Sequence, residues 1–298
     1  MKKVNIFSLA KRIERPLILD GAIGSLLEEK FPKENDYYTW MTKINSEHPE
    51  YLFGIYKDYI TAGADIITTN TFRTNPIAMK YQSLSYNIND LIKRTVDLAF
   101  LARANNSVLI AGSNPPAEDC YQSERTVSFS ELTNNHHKHI DMLLNCGVDF
   151  ILNETQSQFD EIGIICKYCS WNNIPFVISI YVDENLKILS GESIDDVLNF
   201  VLQFKPLAIG FNCINKDTLY KIVQNYELNF NWGFYLNVYP SKLSCGEKSE
   251  NLLPEISPEE YQEIVKDMLA YQPSFVGGCC GTNPSYISKI RELFEWNI

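Results

Sequence analysis

The chain has 298 residues, of which 45% are hydrophobic and 12% aromatic, and its formal net charge is −11. This much apolar material builds a sizeable buried core and excludes an intrinsically disordered chain. The acidic balance disfavours nucleic acid and anionic membranes as partners, because both require a basic surface.

The N-terminal segment, MKKVNIFSLAKRIERP, carries basic residues but no continuous apolar stretch, so it does not resemble a secretory signal. No run approaches the roughly 20 apolar residues that span a bilayer. We therefore expect a cytoplasmic protein whose thiols stay reduced. In that compartment, the eight cysteines are expected to be core residues, metal ligands or nucleophiles rather than a disulfide framework.

Short β-rich apolar runs recur along the chain, and each is followed by a helical pattern. Their continuous apolar character favours parallel strands that are buried on both faces. In chain order, the predicted strands are 17–20, 64–70, 107–113, 148–155, 175–181, 206–213, 232–239 and 273–280. The predicted helices are 50–62, 84–104, 131–145, 157–171, 193–203, 216–227, 258–271 and 285–296.

Eight strands that alternate with helices in one chain predict a single-domain (β/α)8 TIM barrel over residues 1–298. The alternative is a doubly wound open sheet, which more often carries a glycine-rich phosphate turn after its first strand. Here the first strand is followed by Gly21 and Gly24, which do not fit the dinucleotide-binding spacing.

Three cysteines fall where predicted strands end, which is the side of a TIM barrel that carries the chemistry. Cys213 ends the sixth strand, and Cys279 and Cys280 end the eighth, after Gly277 and Gly278. Three thiolates at the carboxyl end of the barrel indicate a Zn²⁺ site with one open, catalytic position. Glycines before the pair would let the backbone approach the metal. The residues at or near the ends of the eight runs are Asp20, Asn70, Ser113, Glu154, Tyr181, Cys213, Asn237 and the Cys279–Cys280 pair.

Other interpretations of these cysteines stay open. Cys213 alone could be a small buried hydrophobe. The pair Cys279–Cys280 could cycle as a vicinal disulfide, although bridging neighbours is strained. All three could also be unrelated core residues.

Other clusters of metal-binding residue types have simpler interpretations. Cys166 and Cys169 form a C-x-x-C inside a helical pattern, which favours helix packing. The segment NNHHKH, 134–139, opens an outer helix, and we interpret it as a solvated face. Cys120 and Cys245 are predicted in loops on the same side of the barrel as the three strand-end cysteines, so either could approach that site.

Two carboxylates, Asp20 and Glu154, also reach the predicted mouth. A glycosidase-like pair is one alternative, but three thiolates have no role in glycoside cleavage. The two carboxylates are better suited to bind a substrate ammonium. The N–H groups of Gly21 and Ala22, at the start of the first helix, would then bind the substrate carboxylate. Zinc beside an amino-acid clamp predicts a substrate that is an amino acid with a thiol.

Several segments along nearly the whole chain resemble those of a known family. They are LILDGAIGSLLEE, HPEYLFGIYKDYITAGADIITTNTF, VDFILNETQSQFDE, LSGESIDD, GFNC and VGGCCGTNP. With these segments, the chain resembles the homocysteine S-methyltransferase family, which includes S-methylmethionine- and betaine-dependent enzymes and the homocysteine-binding module of cobalamin-dependent methionine synthase.

The resemblance implies that Cys213, Cys279 and Cys280 hold zinc, and that Asp20 and Glu154 bind the homocysteine amino group. The homocysteine thiol is then expected to enter the open zinc position and lose its proton there. Its sulfur would attack a methyl group carried by an onium donor.

The resemblance also implies roles for further residues, which lie in less specific motifs. Gly21 and Ala22 would lie at the homocysteine carboxylate. Trp40 matches a tryptophan near the methyl donor, although a surface or core tryptophan fits equally well. Asn70 begins a segment that lines the family's pocket.

Two departures from the family pattern concern the donor. The chain reads GSNPPAEDCYQSE after the third strand, where a Gly-Pro turn is frequent, and has Ser241 where an asparagine is frequent. It shows no cobalamin-module motif and ends soon after the eighth strand, unlike betaine-dependent relatives. We therefore expect S-methylmethionine or S-adenosylmethionine as donor, in methionine biosynthesis. The alternative is a homocysteine-binding module that needs a separate methyl-corrinoid protein, and the oligomeric state is open.

Overall fold

A computed structural model of the chain describes residues 13–36, 38–80, 87–240 and 252–295. These residues form eight parallel strands in the order β1-β8-β7-β6-β5-β4-β3-β2. A bridge between Leu19 and Ile66 connects β1 to β2 and nearly closes the barrel. The strands are β1 (Leu17–Ile18), β2 (Ile66–Thr68), β3 (Leu109–Asn114), β4 (Phe150–Gln156), β5 (Phe176–Ile180), β6 (Ala208–Asn212), β7 (Trp232–Leu236) and β8 (Phe275–Gly278).

Helices follow the strands and cover the barrel, so the predicted (β/α)8 fold is confirmed. Each predicted strand overlaps the observed one, and each of the eight predicted helices has a counterpart. The α-helices of the described residues are α1 (Gly24–Lys30), α2 (Ile44–Glu47), α3 (Pro49–Thr61), α4 (Pro76–Lys80), α5 (Ile88–Arg103), α6 (Phe129–Asn145), α7 (Phe159–Trp171), α8 (Ile194–Leu202), α9 (Lys216–Asn225), α10 (Pro258–Met268) and α11 (Pro284–Glu292).

Two apolar layers explain why the strands are apolar throughout. One layer fills the barrel interior, and the other lies between the barrel and its helices, as expected for parallel strands covered on both faces. Each fully buried aliphatic side chain contributes roughly 1.5–3 kcal/mol. The interior layer comprises Leu17, Leu19, Ile66, Ala111, Phe150, Leu152, Val177, Ala208, Tyr235 and Phe275.

Local capping fixes where the outer helices begin. The Ser257 hydroxyl accepts from the Glu260 N–H at 3.2 Å, and the Glu260 side chain accepts in return from the Ser257 N–H. Pro258 occupies the first helical position, as the sequence predicts. The Ser193 hydroxyl caps α8 in the same way, by accepting from the Asp196 N–H.

The prediction that residues 134–139 form a solvated face is wrong for half of the segment. Asn134 and Lys138 are exposed, but His136 and His139 are fully buried, as is Asn135. This face of α6 packs toward the barrel, where the polar side chains of Asn114 and Glu161 hydrogen-bond the two rings. Burial of these polar groups is tolerated because both are hydrogen-bonded.

Other expectations agree with the structure. Cys166 and Cys169 are buried on α7 and pack in the core between helix and barrel. Among the described residues, no helix combines the length and the apolar character needed to cross a bilayer. Cys245 and Ser241 lie outside the described residues.

Candidate metal centre and substrate pocket

Three thiols meet at the carboxyl end of the barrel. Cys213 follows β6, and Cys279 and Cys280 follow β8. Their sulfur atoms all lie within 4.8 Å of one another, and those of Cys279 and Cys280 are 4.0 Å apart as free thiols. Four ligands at tetrahedral angles around zinc, with Zn–S bonds of about 2.3 Å, place their sulfurs about 3.8 Å apart. The cluster therefore fits a metal ion, and in this structure no vicinal disulfide is formed.

Close packing explains the two glycines before the cysteine pair. A Cβ on Gly277 would lie 2.6 Å from the Cβ of Leu19. A Cβ on Gly278 would overlap the side chain of Thr282. The glycines thus let β8 pack tightly on β1 and on the turn after it, which differs from the predicted close approach of backbone to metal.

Polar neighbours hold the Cys213 thiol in place. Asn212 Nδ2 lies 3.5 Å and Thr155 Oγ1 3.8 Å from its sulfur, and Asn212 also donates to Thr155 Oγ1 at 2.8 Å. Cys213 itself has a φ of 55°, in the left-handed region. Such supporting partners orient metal ligands and are part of a metal site.

The three thiols affect one another's ionisation. Cys279 lowers the pKa of Cys213, but Cys280 and burial outweigh this effect, and the net pKa is raised. The pKa of Cys279 is raised well above its usual value by Cys213 and Cys280, and then by burial. Three thiolates in one buried place repel one another, so a bound cation would favour their ionised forms.

A cleft of about 950 Å³, including its open mouth, lies above the barrel interior. The structure brings every residue that the sequence singled out for the site into the lining of this cleft. These residues are Asp20, Gly21, Ala22, Trp40, Asn70, Glu154, Cys213, Cys279 and Cys280. Cys120 also lines the cleft, as the sequence suggested.

Asp20 lies at the end of β1 and is held by the next strand. Its carboxylate accepts from the Thr68 N–H at 2.7 Å and from Thr68 Oγ1 at 3.1 Å. Burial raises the pKa of Asp20 well above its usual value; the Thr68 N–H opposes this, and the nearby Glu154 adds to it.

Glu154, on β4, is the second carboxyl of the cleft. It accepts from Ser113 Oγ at 2.5 Å. Burial raises the pKa of Glu154 to about 7, against the Ser113 hydrogen bond, and the neighbouring Cys213 contributes to the increase. Two carboxyls with raised pKa values beside each other favour a cationic ligand, because a positive charge stabilises both ionised forms.

The segment before α1 differs from its prediction. The helix begins at Gly24 rather than at Gly21. The Ala22 N–H donates to Thr282 Oγ1 at 3.1 Å, so it is engaged within the protein. A Cβ on Gly21 would lie 2.6 Å from the same hydroxyl. For Ala22 to hold a substrate carboxylate, Thr282 would have to release this bond.

Asn70 lines the cleft but uses its side chain elsewhere. Its Nδ2 donates to Asn45 Oδ1 at 2.6 Å, and Asn45 Nδ2 donates to the Asn70 carbonyl at 2.8 Å. The Asn70 N–H donates to the Tyr56 hydroxyl at 2.8 Å. These bonds fix the loop after β2 against α2 and α3.

Aromatic side chains line the outer part of the cleft. The Trp40 indole covers Gly24, where any Cβ would overlap its six-membered ring. Phe72 packs edge-on against Trp40, with ring centroids 6.2 Å apart. Tyr121 also lines the cleft and packs edge-on against Tyr181, and the buried residue Glu28 lines it as well.

Sequence reasoning missed several lining residues, among them Glu28, Tyr121 and Tyr235. Tyr235 had a usable signal: on β7 it shares a face with Gly233 that points into the barrel. Glu28 and Tyr121 carried no signal, because they reach the cleft from a helix and a loop whose directions the sequence does not determine.

A sequence model described as homocysteine S-methyltransferase matches residues 17–294. The chain belongs to this family. The family resemblance noted in the sequence is therefore confirmed, as is the enzyme class, methyl transfer to homocysteine.

Solved structures of a bacterial protein are similar to this chain. The metallated form of the homocysteine methyltransferase MmuM from Escherichia coli has 21% sequence identity and a TM-score of 0.78, over 97% of this chain and 100% of that one. The oxidized form has 24% identity and a TM-score of 0.75, over 93% and 96%. At these identities, the likeness supports the fold.

Proposed function

We propose that this protein is a zinc-dependent homocysteine S-methyltransferase that takes its methyl group from S-methylmethionine or S-adenosylmethionine. One observation carries the proposal: the thiols of Cys213, Cys279 and Cys280 lie within 4.8 Å of one another, in a cleft that also contains Asp20 and Glu154. Metal-binding sulfur and paired carboxyls in one cleft suit an amino acid that carries a thiol.

Cys213, Cys279 and Cys280 would hold the zinc ion and leave one position for a ligand from the cleft. When bound, zinc lowers the pKa of a coordinating thiol and so makes it a nucleophile at neutral pH. The Asn212 and Thr155 contacts keep the Cys213 sulfur oriented. Because these ligands must be reduced, the proposal includes a reducing compartment, such as the cytoplasm.

Asp20 and Glu154 would bind the homocysteine ammonium. Thr68 and Ser113 hold the two carboxyls in place, so binding needs little rearrangement. A substrate fixed at its ammonium end has its thiol directed to one place, and this orientation reduces the entropic part of the barrier.

The aromatic part of the cleft would receive the methyl donor. Trp40, Phe72 and Tyr121 line it, and a sulfonium is attracted to aromatic faces. During transfer, the homocysteine sulfur forms a bond to the methyl carbon while the bond from that carbon to the donor sulfur breaks. The donor leaves as a neutral thioether, and the rings exclude water from the reacting groups.

The test is to incubate the purified, zinc-loaded full chain with homocysteine and each candidate donor in turn. Methionine is then measured by mass spectrometry, with no other protein added. Product from S-methylmethionine or S-adenosylmethionine supports the proposal. Product only after a methyl-corrinoid protein is added would overturn it in favour of a homocysteine-binding module.

A further inference from the structure

The hydroxyl of Tyr235 is a buried polar group whose use is not explained by the fold. Its ring belongs to the apolar layer inside the barrel and is only 2% exposed. Tyr235 also lines the cleft. Its hydroxyl has no hydrogen-bond partner among the described residues, and it is the one cleft-lining side chain of that set with such an orphaned buried atom.

The position of this hydroxyl is fixed by close packing of the ring. Tyr235 lies opposite Gly277 on β8 and Asn212 on β6. Its ring is 6.4 Å from that of Phe275 within the same interior layer. A tyrosine packed in this way has few alternative rotamers, so its hydroxyl is held at one place in the wall of the cleft.

The surroundings of the hydroxyl indicate what it would bind. Apart from burial itself, the nearby Glu154 carboxyl has the largest effect on the pKa of Tyr235, followed by Ser179 and the thiols of Cys279 and Cys213. Glu154 and Ser179 lie close enough to the Tyr235 hydroxyl for hydrogen bonding to affect the pKa values of Glu154 and Tyr235, but neither contact meets the distance and angle of a formed hydrogen bond. The hydroxyl therefore stands beside the carboxyl that would bind an ammonium, on the side of the metal-binding thiols.

A substrate ammonium has three N–H donors, and two carboxyls satisfy two of them. The hydroxyls that contact these carboxyls are engaged, Thr68 with Asp20 and Ser113 with Glu154. Leaving a buried hydroxyl without a partner costs free energy, so such a group in a cleft is expected to be satisfied by the ligand.

We propose that the Tyr235 hydroxyl is the third polar group of the ammonium subsite, where it accepts from the amino group of the substrate beside Asp20 and Glu154. This inference rests on the proposed function, since it assumes that the ligand is homocysteine. Tyr235 then makes binding depend on the amino group and discriminates against thiols that lack it.

Two ligands separate this role from a general effect on packing. Homocysteine and 4-mercaptobutyrate differ only in the amino group, so the thiol and carboxylate contributions cancel in the ratio of their affinities. The experiment measures both dissociation constants by calorimetry under reducing conditions, for the zinc-loaded full chain and for Tyr235→Phe. We expect Tyr235→Phe to bind homocysteine about tenfold more weakly, as for the loss of one hydrogen bond to a charged group, and 4-mercaptobutyrate equally well.

The thermal stability of the ligand-free protein gives a second measurement, because Tyr235→Phe should not lower it although the same change weakens homocysteine binding. Removing an orphaned hydroxyl should leave the melting temperature of the ligand-free protein unchanged or raise it. The matched control is Tyr286→Phe, because the Tyr286 hydroxyl is also buried but donates to the Ile256 carbonyl at 2.6 Å. This control should lower the melting temperature and leave the affinity ratio unchanged.

The outcomes are distinguishable. Equal weakening for both ligands, or unchanged homocysteine binding in Tyr235→Phe, overturns the inference while the proposed function stands. If the unaltered protein does not bind homocysteine, the proposed function fails with it. Should Tyr235→Phe not fold, Tyr235→Leu provides the same ratio of affinities.

Discussion

The Nδ1 atom of His139 lies 2.9 Å from the Oδ1 atom of Asn114. Because an amide oxygen only accepts, Nδ1 carries the proton, and Nε2 accepts from Thr74 Oγ1 at 2.9 Å. The ring thereby joins α6 to the end of β3 and to the loop after β2. Tyr121 lies in the segment that connects β3 to α6, and Phe72 lies in the loop after β2. Both residues line the cleft.

This buried ring should make the stability of the protein depend on pH. Burial, and secondarily His136, lowers the pKa of His139 from 6.5 to about 3. Between these values, the unfolded chain binds a proton that the folded protein does not, so stability falls as the pH falls below 6.5. From pH 6.5 to pH 5, the loss due to this group is about 2 kcal/mol.

The measurement compares urea unfolding of the unaltered chain and of His139→Gln across this pH range. The difference in unfolding free energy between them should shrink by that amount as the pH falls. His48→Gln, which alters a partly exposed histidine, should show the same pH dependence of unfolding free energy as the unaltered chain. A constant difference between the unaltered chain and His139→Gln at all pH values would contradict the argument.

The same ring shows what the sequence could not predict. Continuous apolar runs were enough to find all eight strands, because parallel strands are buried on both faces. The inward face of α6 was misinterpreted, because its polar residues are satisfied by Asn114 and Glu161, which come from other elements. Periodicity registers apolar residues only, and so it does not detect a buried polar network.

The candidate site likewise has parts that the sequence predicts and parts that it does not. Strand ends converge in any TIM barrel, so the cysteines and carboxyls could be brought together from the sequence. The hydrogen bond from the Ala22 N–H to Thr282 could not, because 260 positions separate the two residues. Contacts between distant side chains depend on packing that no local pattern specifies.

Replacement of one cluster thiol should remove the metal. Cys213→Ser retains the fold but loses a soft sulfur ligand, so we expect no retained zinc after dialysis and no methyl transfer. Metal content is measured by elemental analysis and folding by circular dichroism.

The matched control is Cys169→Ser, which alters a buried cysteine on α7. It should keep its zinc but lose about 1–3 kcal/mol of stability, because a hydroxyl replaces a thiol in an apolar layer. Full zinc occupancy in Cys213→Ser would exclude this residue as a ligand.

Neutralising Asp20 should weaken homocysteine binding without removing the metal. Asp20→Asn keeps one oxygen for the Thr68 N–H but loses the charge that would face the ammonium. We expect the KM for homocysteine to rise about 10- to 100-fold, as for a lost hydrogen bond to a charged group, with zinc content unchanged. Asp58→Asn, at an exposed position of α3, should leave the KM as it is, and unchanged affinity in Asp20→Asn would refute the ammonium role.

A methyl group added beneath Trp40 should weaken binding of the methyl donor without affecting binding of homocysteine. Any Cβ on Gly24 overlaps the indole, so Gly24→Ala must displace this ring from the outer part of the cleft. We expect a several-fold higher KM for the methyl donor, a changed tryptophan emission and little change in homocysteine affinity. Gly54→Ala is the control, since a Cβ there meets no atom within 4 Å and alanine stabilises a helix by roughly 0.5–1 kcal/mol relative to glycine. A displaced indole with unchanged donor kinetics would show that Trp40 does not contact the donor.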